Sequence, residues 1–120
     1  MENRKLGTVE TRFAELIWAN APISSGELVK LCQQELEWKK STTYTVLKKL
    51  CEQGLFCNQG GLVQTVISRE EFYGMQSELF VQENFSGSLP AFLAAFTARR
   101  SLSEKEIILI RQMINQMGGK

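Results

Sequence analysis

Three stretches of the amino-terminal half carry apolar residues at helical spacing. Val9, Phe13, Leu16 and Ile17, with Trp18 beside them, would line one side of a helix capped by Thr8, running to about residue 20 and broken by Pro22. Ser24 and Glu27 then stand at capping-box spacing, and Ile23 and Leu28 at staple spacing, so a second helix is expected over 25–34 with Leu28, Leu31 and Cys32 inward. A third is expected to start after Ser41 and stop at Gly54, with Thr43, Val46, Leu47 and Leu50 inward and Thr42, Thr45, Lys48 and Lys49 outward. The period then changes. Two β-prone segments, 55–58 and 62–67, flank Gly60 and Gly61, which can take the positive φ of a tight hairpin. Three helices followed by a hairpin is the order of a winged helix-turn-helix domain.

The remainder of the chain is helical in pattern. Ser68 with Glu71, and Ile67 against Phe72, launch a helix carrying Phe72, Met75, Leu79 and Phe80 on one side. Ser86, Gly87 and Ser88 interrupt it, and Leu89, Phe92, Leu93 and Phe96 follow, with Pro90 tolerable in a first turn. Ser103 with Glu106, and Leu102 against Ile107, open a last helix whose Ile107, Ile108, Leu109, Ile110, Met113, Ile114 and Met117 form an apolar surface wider than one stripe, before Gly118 and Gly119 end it. The expected fold is mostly α (α+β), with a winged-helix domain over residues 1–73 and a helical region over 74–120. So apolar a tail on a complete small domain needs a cover. A second copy of the chain, meeting through Leu79, Phe80, Phe92, Leu93, Phe96, Ile107, Ile110, Met113, Ile114 and Met117, is the expected one, and folding back onto the winged domain is the alternative.

Composition narrows the function. The chain has 120 residues, 43% of them apolar, enough for a packed core. It contains no apolar run of about 18 residues or more, and its first residues lack the apolar stretch of a signal peptide, so it is expected in the cytoplasm, without membrane insertion. There is no histidine, and Cys32, Cys51 and Cys57 form no Cys-x-x-Cys pair. That leaves no zinc constellation within one subunit, no expected cofactor, and none of the usual histidine-based catalytic pairs. The cysteines are expected to act as small core hydrophobes, with thiol sensing as the other reading.

With 14 basic and 13 acidic residues the net charge is +1, so any grip on DNA must come from local placement. Between Glu37 and Glu52 no acidic residue occurs, while Lys39, Lys40, Lys48 and Lys49 all fall there. The major groove admits one α-helix and requires side chains that reach base edges, flanked by cations that set register on phosphate. Thr42, Thr43, Tyr44 and Thr45 suit the first role. Lys39, Lys40 and the helix start at Ser41 suit the second, since open backbone N–H groups favour phosphate oxygens, and Lys48 and Lys49 could reach the far strand. Asn58, Gln59, Gly60 and Gly61 at the hairpin supply no cation, so the wing offers only polar or backbone contacts.

These features together resemble the penicillinase, methicillin-resistance and copper-transport repressors (the BlaI/MecI/CopY family). The carriers are Glu10 with Leu16, Ile17 and Trp18; Trp38 with the run from Ser41 to Leu50 and then Glu52 to Leu55; Val66 to Phe72; and Leu102 to Ile107. The resemblance implies a homodimeric winged-helix repressor on palindromic promoter operators, tied together by its carboxy-terminal helices. In the β-lactam-responsive members a sensor pathway triggers proteolysis between Asn and Phe in the dimerisation region. Ala95 and Phe96 occupy the similar position, so Phe96 matches and Ala95 does not. Copper-responsive members carry paired Cys-x-Cys motifs at the carboxy terminus, which this tail lacks. The family commonly has basic and aromatic residues in the wing, where this chain reads Gly61-Leu62-Val63-Gln64-Thr65.

The expected function is a dimeric transcriptional repressor that blocks a promoter by occupying its operator. The competing function is a winged-helix protein-interaction module that uses the apolar tail and no longer binds specific DNA. An enzyme is not expected, since no paired-carboxylate, phosphate-loop or nucleophile motif occurs, and Ser24, Ser68 and Ser103 are explained as helix caps.

Overall fold

A computed structural model describes residues 6–118. Its elements run α1 (Thr8–Asn20), β1 (Ile23–Ser24), α2 (Ser25–Leu36), α3 (Lys40–Glu52), β2 (Phe56–Gln59), β3 (Leu62–Thr65), α4 (Arg69–Phe85), α5 (Leu89–Arg99) and α6 (Glu104–Gly118). The three strands form one antiparallel sheet in the order β1-β3-β2, and with the first three helices they make a winged-helix fold. The chain divides into two units inside α4, between Ser77 and Glu78, one turn beyond the 73/74 boundary expected from sequence.

In the first unit, local chemistry sets most element ends. Gly7, not Thr8, is the N-cap of α1, because the Glu10 carboxylate reaches back to accept the Gly7 N–H at 3.1 Å. Proline disfavours the α conformation in the residue before it, and Ala21 is extended ahead of Pro22. Ser24 caps α2 by accepting the Glu27 N–H at 3.1 Å, and α2 continues past the expected residue 34 to Leu36 before Glu37 turns left-handed. α3 begins at Lys40, earlier than expected, with Lys39 in the cap position. Gly54, at φ 87°, turns the chain out of α3 and lets the Leu55 N–H reach the Leu50 carbonyl at 3.1 Å. Gly60 and Gly61, both at positive φ, close the β2–β3 hairpin with Gln59 opposite Leu62. Strand β1 is an addition to the expected order: Ile23 pairs with Val63 and Ser24 with Leu62.

The core of this unit is Phe13, Ala14 and Ile17 of α1, Leu28 and Cys32 of α2, Leu47 and Leu50 of α3, Leu55 after it, Phe56 and Val63 of the sheet, and Phe72 of α4. Burying each large side chain contributes on the order of 1.5–3 kcal/mol, so this cluster dominates the unit's stability. Val9 is not part of it. It is 50% exposed, because the inward stripe of α1 is Phe13, Ala14 and Ile17, and Val9 lies before the point where that stripe meets its neighbours. Likewise Val29 is buried in α2 while Leu31 is only half-buried. The Trp18 indole N–H donates to the Ile67 carbonyl at 2.9 Å, and its ring stands 5.4 Å from both Phe56 and Phe72. Ser68 and Glu71 form a reciprocal capping box, each N–H reaching the other's side chain at 3.0 Å. The first turns of α4 are also tied to α1. Glu15 accepts from the Arg69 Nε at 2.8 Å and from the Tyr73 hydroxyl at 2.6 Å, which holds its carboxyl below the usual range.

In the second unit, Phe80, Phe85, Phe92 and Phe96 form a chain of ring contacts between 5.7 and 6.2 Å. Ser88 caps α5 by accepting the Ala91 N–H, and Ser103 with Glu106 forms the capping box of α6. No residue of α5 or of α6 is buried. Leu79, Phe92, Leu93 and Ile110 are half-buried, whereas Phe80, Phe96, Ile107, Met113, Ile114 and Met117 are exposed. α6 runs through Gly118, and Gly119, expected to share in its ending, lies outside the described residues.

Candidate nucleic-acid interface

The inward face of α3 is Thr43, Leu47 and Leu50, packed over α2 and the sheet. Helical geometry therefore turns Ser41, Thr45 and Lys48, spaced four and three residues apart, directly outward. All three are exposed, with Thr42 and Lys49 on one flank and the half-buried Tyr44 on the other. Thr45 donates its hydroxyl back to the Ser41 carbonyl at 2.9 Å and keeps its oxygen lone pairs for an outside donor. No side chain caps α3, so its first N–H groups, from Lys40 to Thr42, point out of the helix start uncapped, beside the exposed Lys39 and Lys40. An uncapped helix start flanked by two ammonium groups, next to a ridge of hydroxyls and Lys48, suits phosphate at one end and base edges along the helix.

Three of the residues expected to contact DNA sit otherwise. Thr43 is 1% exposed and donates to the Lys39 carbonyl at 3.2 Å, so it braces the first turn from inside. Its inward position follows from the same spacing that buries Leu47 and Leu50. The Tyr44 hydroxyl donates to the Ser25 hydroxyl at 3.1 Å, and the Ser25 N–H donates to the Gly61 carbonyl at 2.8 Å. Tyr44 thereby links α3 to the wing through the start of α2. The Lys49 ammonium is held by the Glu10 carboxylate at 2.5 Å, and that hydrogen bond, followed by the one from the Gly7 N–H, holds the Glu10 carboxyl below its usual range. Sequence spacing alone does not place Glu10 and Ser25 at this surface. Each acts across the fold, and neither sits in a local pattern that would reveal its partner.

The wing tip is exposed at Asn58, Gln59 and Gly60, with Gly61 half-buried against Ser25. An open cleft between α3 and β2 is lined by Tyr44, Leu47, Lys48, Cys51 and Asn58. Burial raises the Cys51 thiol, with the neighbouring Cys57 and Glu52 adding to the effect, and burial also raises Cys32. A raised thiol carries little thiolate at neutral pH, which is the opposite of an activated sensor cysteine. Among the described residues no cluster of histidine, cysteine or carboxylate side chains is arranged to hold a metal ion, and no helix is long and apolar enough to cross a membrane.

Comparison with known proteins covers nearly the whole chain. The methicillin resistance regulatory protein MecI of Staphylococcus aureus strain Mu50 is 20% identical over 122 residues, covering 97% of this chain and 99% of the relative. The MecI of Mammaliicoccus sciuri is 19% identical over the same span. The family description for the penicillinase repressor matches residues 6–116, which takes in the winged-helix unit, α4, α5 and nearly all of α6. With residues 6–116 of its 120 matched, the chain belongs to the penicillinase repressor family, transcriptional repressors that bind DNA and are not enzymes.

Proposed function

We propose that this chain represses as a homodimer, with α5 and α6 of two copies packed together and each α3 set in the major groove of one half-site of a palindromic operator. The observation that carries the reading is the uncovered apolar surface of the second unit, where neither α5 nor α6 buries a single side chain. Large contiguous apolar surface on a folded chain marks an interaction site. A two-fold pair is the simplest closed assembly that covers it. Leu79, Phe80, Phe92, Leu93, Phe96, Ile107, Ile110, Met113, Ile114 and Met117 are the proposed contact residues.

Within each copy, Lys39, Lys40 and the start of α3 take phosphate, Ser41, Thr42, Thr45 and Lys48 face the bases, and the uncharged wing adds polar contacts from Asn58 and Gln59. Two-fold symmetry sets the half-sites about 34–36 Å apart, or a multiple of that. Repression follows from occupancy, since polymerase cannot engage a covered promoter. Release by proteolysis at Ala95–Phe96 would require α5 to open first, because that bond lies within the helix and proteases cut extended, locally unfolded chain. An upstream sensor or protease would be the partner in that event.

The test is selection of bound sequences from a random duplex pool, with sedimentation of the free protein and titration of the best sequence at two salt concentrations. A palindrome bound by a dimer, weakening steeply with salt, supports the reading. A folded dimer that enriches no motif would refute it in favour of a protein-interaction module. A monomer would refute the proposed role of α5 and α6.

A further inference from the structure

Lys48 and Lys49 are adjacent in sequence, yet an α-helix turns about 100° between neighbours, so the two ammonium groups leave α3 in different directions. Lys48 borders the cleft shared with Asn58 of the wing, while Lys49 is turned to α1, where Glu10 holds it. The Glu10 carboxylate is itself fixed by the Gly7 N–H at 3.1 Å, at the start of α1. It is thus a pre-positioned anion at the edge of a surface otherwise fitted to a polyanion. An ion pair this exposed contributes little to folding. Its consequence is in charge placement: Lys49 is neutralised on the α1 side of α3, whereas Lys39, Lys40 and Lys48 form no ion pair among the described residues.

We infer that Glu10 is a positioning residue of the DNA interface, which withholds Lys49 from phosphate and so confines backbone contacts to the start of α3 and its wing side. The inference rests on the reading of α3 as the DNA-reading helix. It makes Glu10 a brake on affinity for DNA of any sequence, since phosphate contacts carry no base information.

The experiment measures the slope of log K against log salt for the full chain on one fluorescent duplex, using the wild type and four variants. Each phosphate contact adds about 0.9 to that slope. Lys40→Ala is expected to flatten it by about one contact per subunit, and Lys49→Ala to leave it unchanged. Glu10→Gln, whose amide oxygen can still accept the Gly7 N–H, is expected to steepen it by about one contact per subunit and to tighten binding at low salt. The double variant Glu10→Gln/Lys49→Ala is expected to return to the wild-type slope. The inference is overturned if Lys49→Ala flattens the slope as Lys40→Ala does, or if Glu10→Gln lowers the melting temperature while the slope stays at the wild-type value. Wild-type binding that is insensitive to salt, with Lys40→Ala also without effect, overturns the DNA-binding reading itself, and the inference with it.

Discussion

Truncating Ile114 to alanine tests the proposed dimer with little risk to the rest of the fold. Ile114 lies in α6, is 57% exposed within one chain, and makes no contribution to the buried core. Full burial of a side chain of this size is worth about 1.5–3 kcal/mol, so covering the exposed half on association is worth roughly 1–1.5 kcal/mol. A two-fold interface contains the residue twice, which raises the expected loss to about 2–3 kcal/mol. That corresponds to a dimer dissociation constant about 30- to 150-fold weaker. Alanine is the stronger helix former, so α6 itself should not fray. Sedimentation equilibrium over a concentration series measures the constant directly, and urea denaturation of the same samples reports on the winged-helix unit, whose stability should not move. A change in dissociation constant of less than about threefold would refute the reasoning, as would a large loss of monomer stability, since Ile114 would then be covering its own chain.

Three further outcomes follow from contacts in the first unit. Trp18→Phe removes the N–H donated to Ile67 and leaves that carbonyl short of a partner, so urea denaturation should show a loss of about 1.5–3 kcal/mol; an unchanged midpoint would mean that the indole N–H is dispensable. Glu15, held low by Arg69 first and Tyr73 second, contributes stability that is complete above its ordinary value near 4.5 and is lost as pH falls through the lowered folded value. Thermal melts of Glu15→Gln should therefore diverge slightly from wild type at neutral pH and converge in acid, the difference being small because the pair is exposed, and a gap that widened in acid would contradict the assignment. Tyr44→Phe and Ser25→Ala each break the link from α3 to the wing. Each should weaken operator binding a few-fold, and the double variant no further than the stronger single, whereas additive losses would show that the two hydroxyls act separately.

Features legible in the sequence were those whose causes lie within a few residues. Ser68 with Glu71 and Ser103 with Glu106 are reciprocal capping boxes because each pair needs only its own first helical turn. Gly60 and Gly61 announce the hairpin because the turn requires positive φ at both places. The alternation of inward and outward residues along α3 was readable from spacing alone, and it already placed Thr43 inward, in conflict with a role at the bases. Adjacent hydroxyl residues cannot all face one way on a helix.

What only the tertiary structure decided involves partners distant in the chain. Strand β1 has two residues, too few for any period to register, and exists because Ile23 and Ser24 meet Val63 and Leu62 of the hairpin. Glu10 is drawn to the interface by Lys49, and Ser25 by Tyr44 and Gly61. Val9 fits the apolar spacing of α1 yet stays exposed, because burial depends on whether a neighbouring element covers that turn. The sequence by itself determined the order of the helices and the hairpin, the side-chain caps of α2, α4, α5 and α6, the hairpin turn, and the basic composition of α3, all set by local backbone and side-chain preferences. The tertiary structure decided which of those charges and hydroxyls remain free, because a side chain's availability depends on what the fold brings against it.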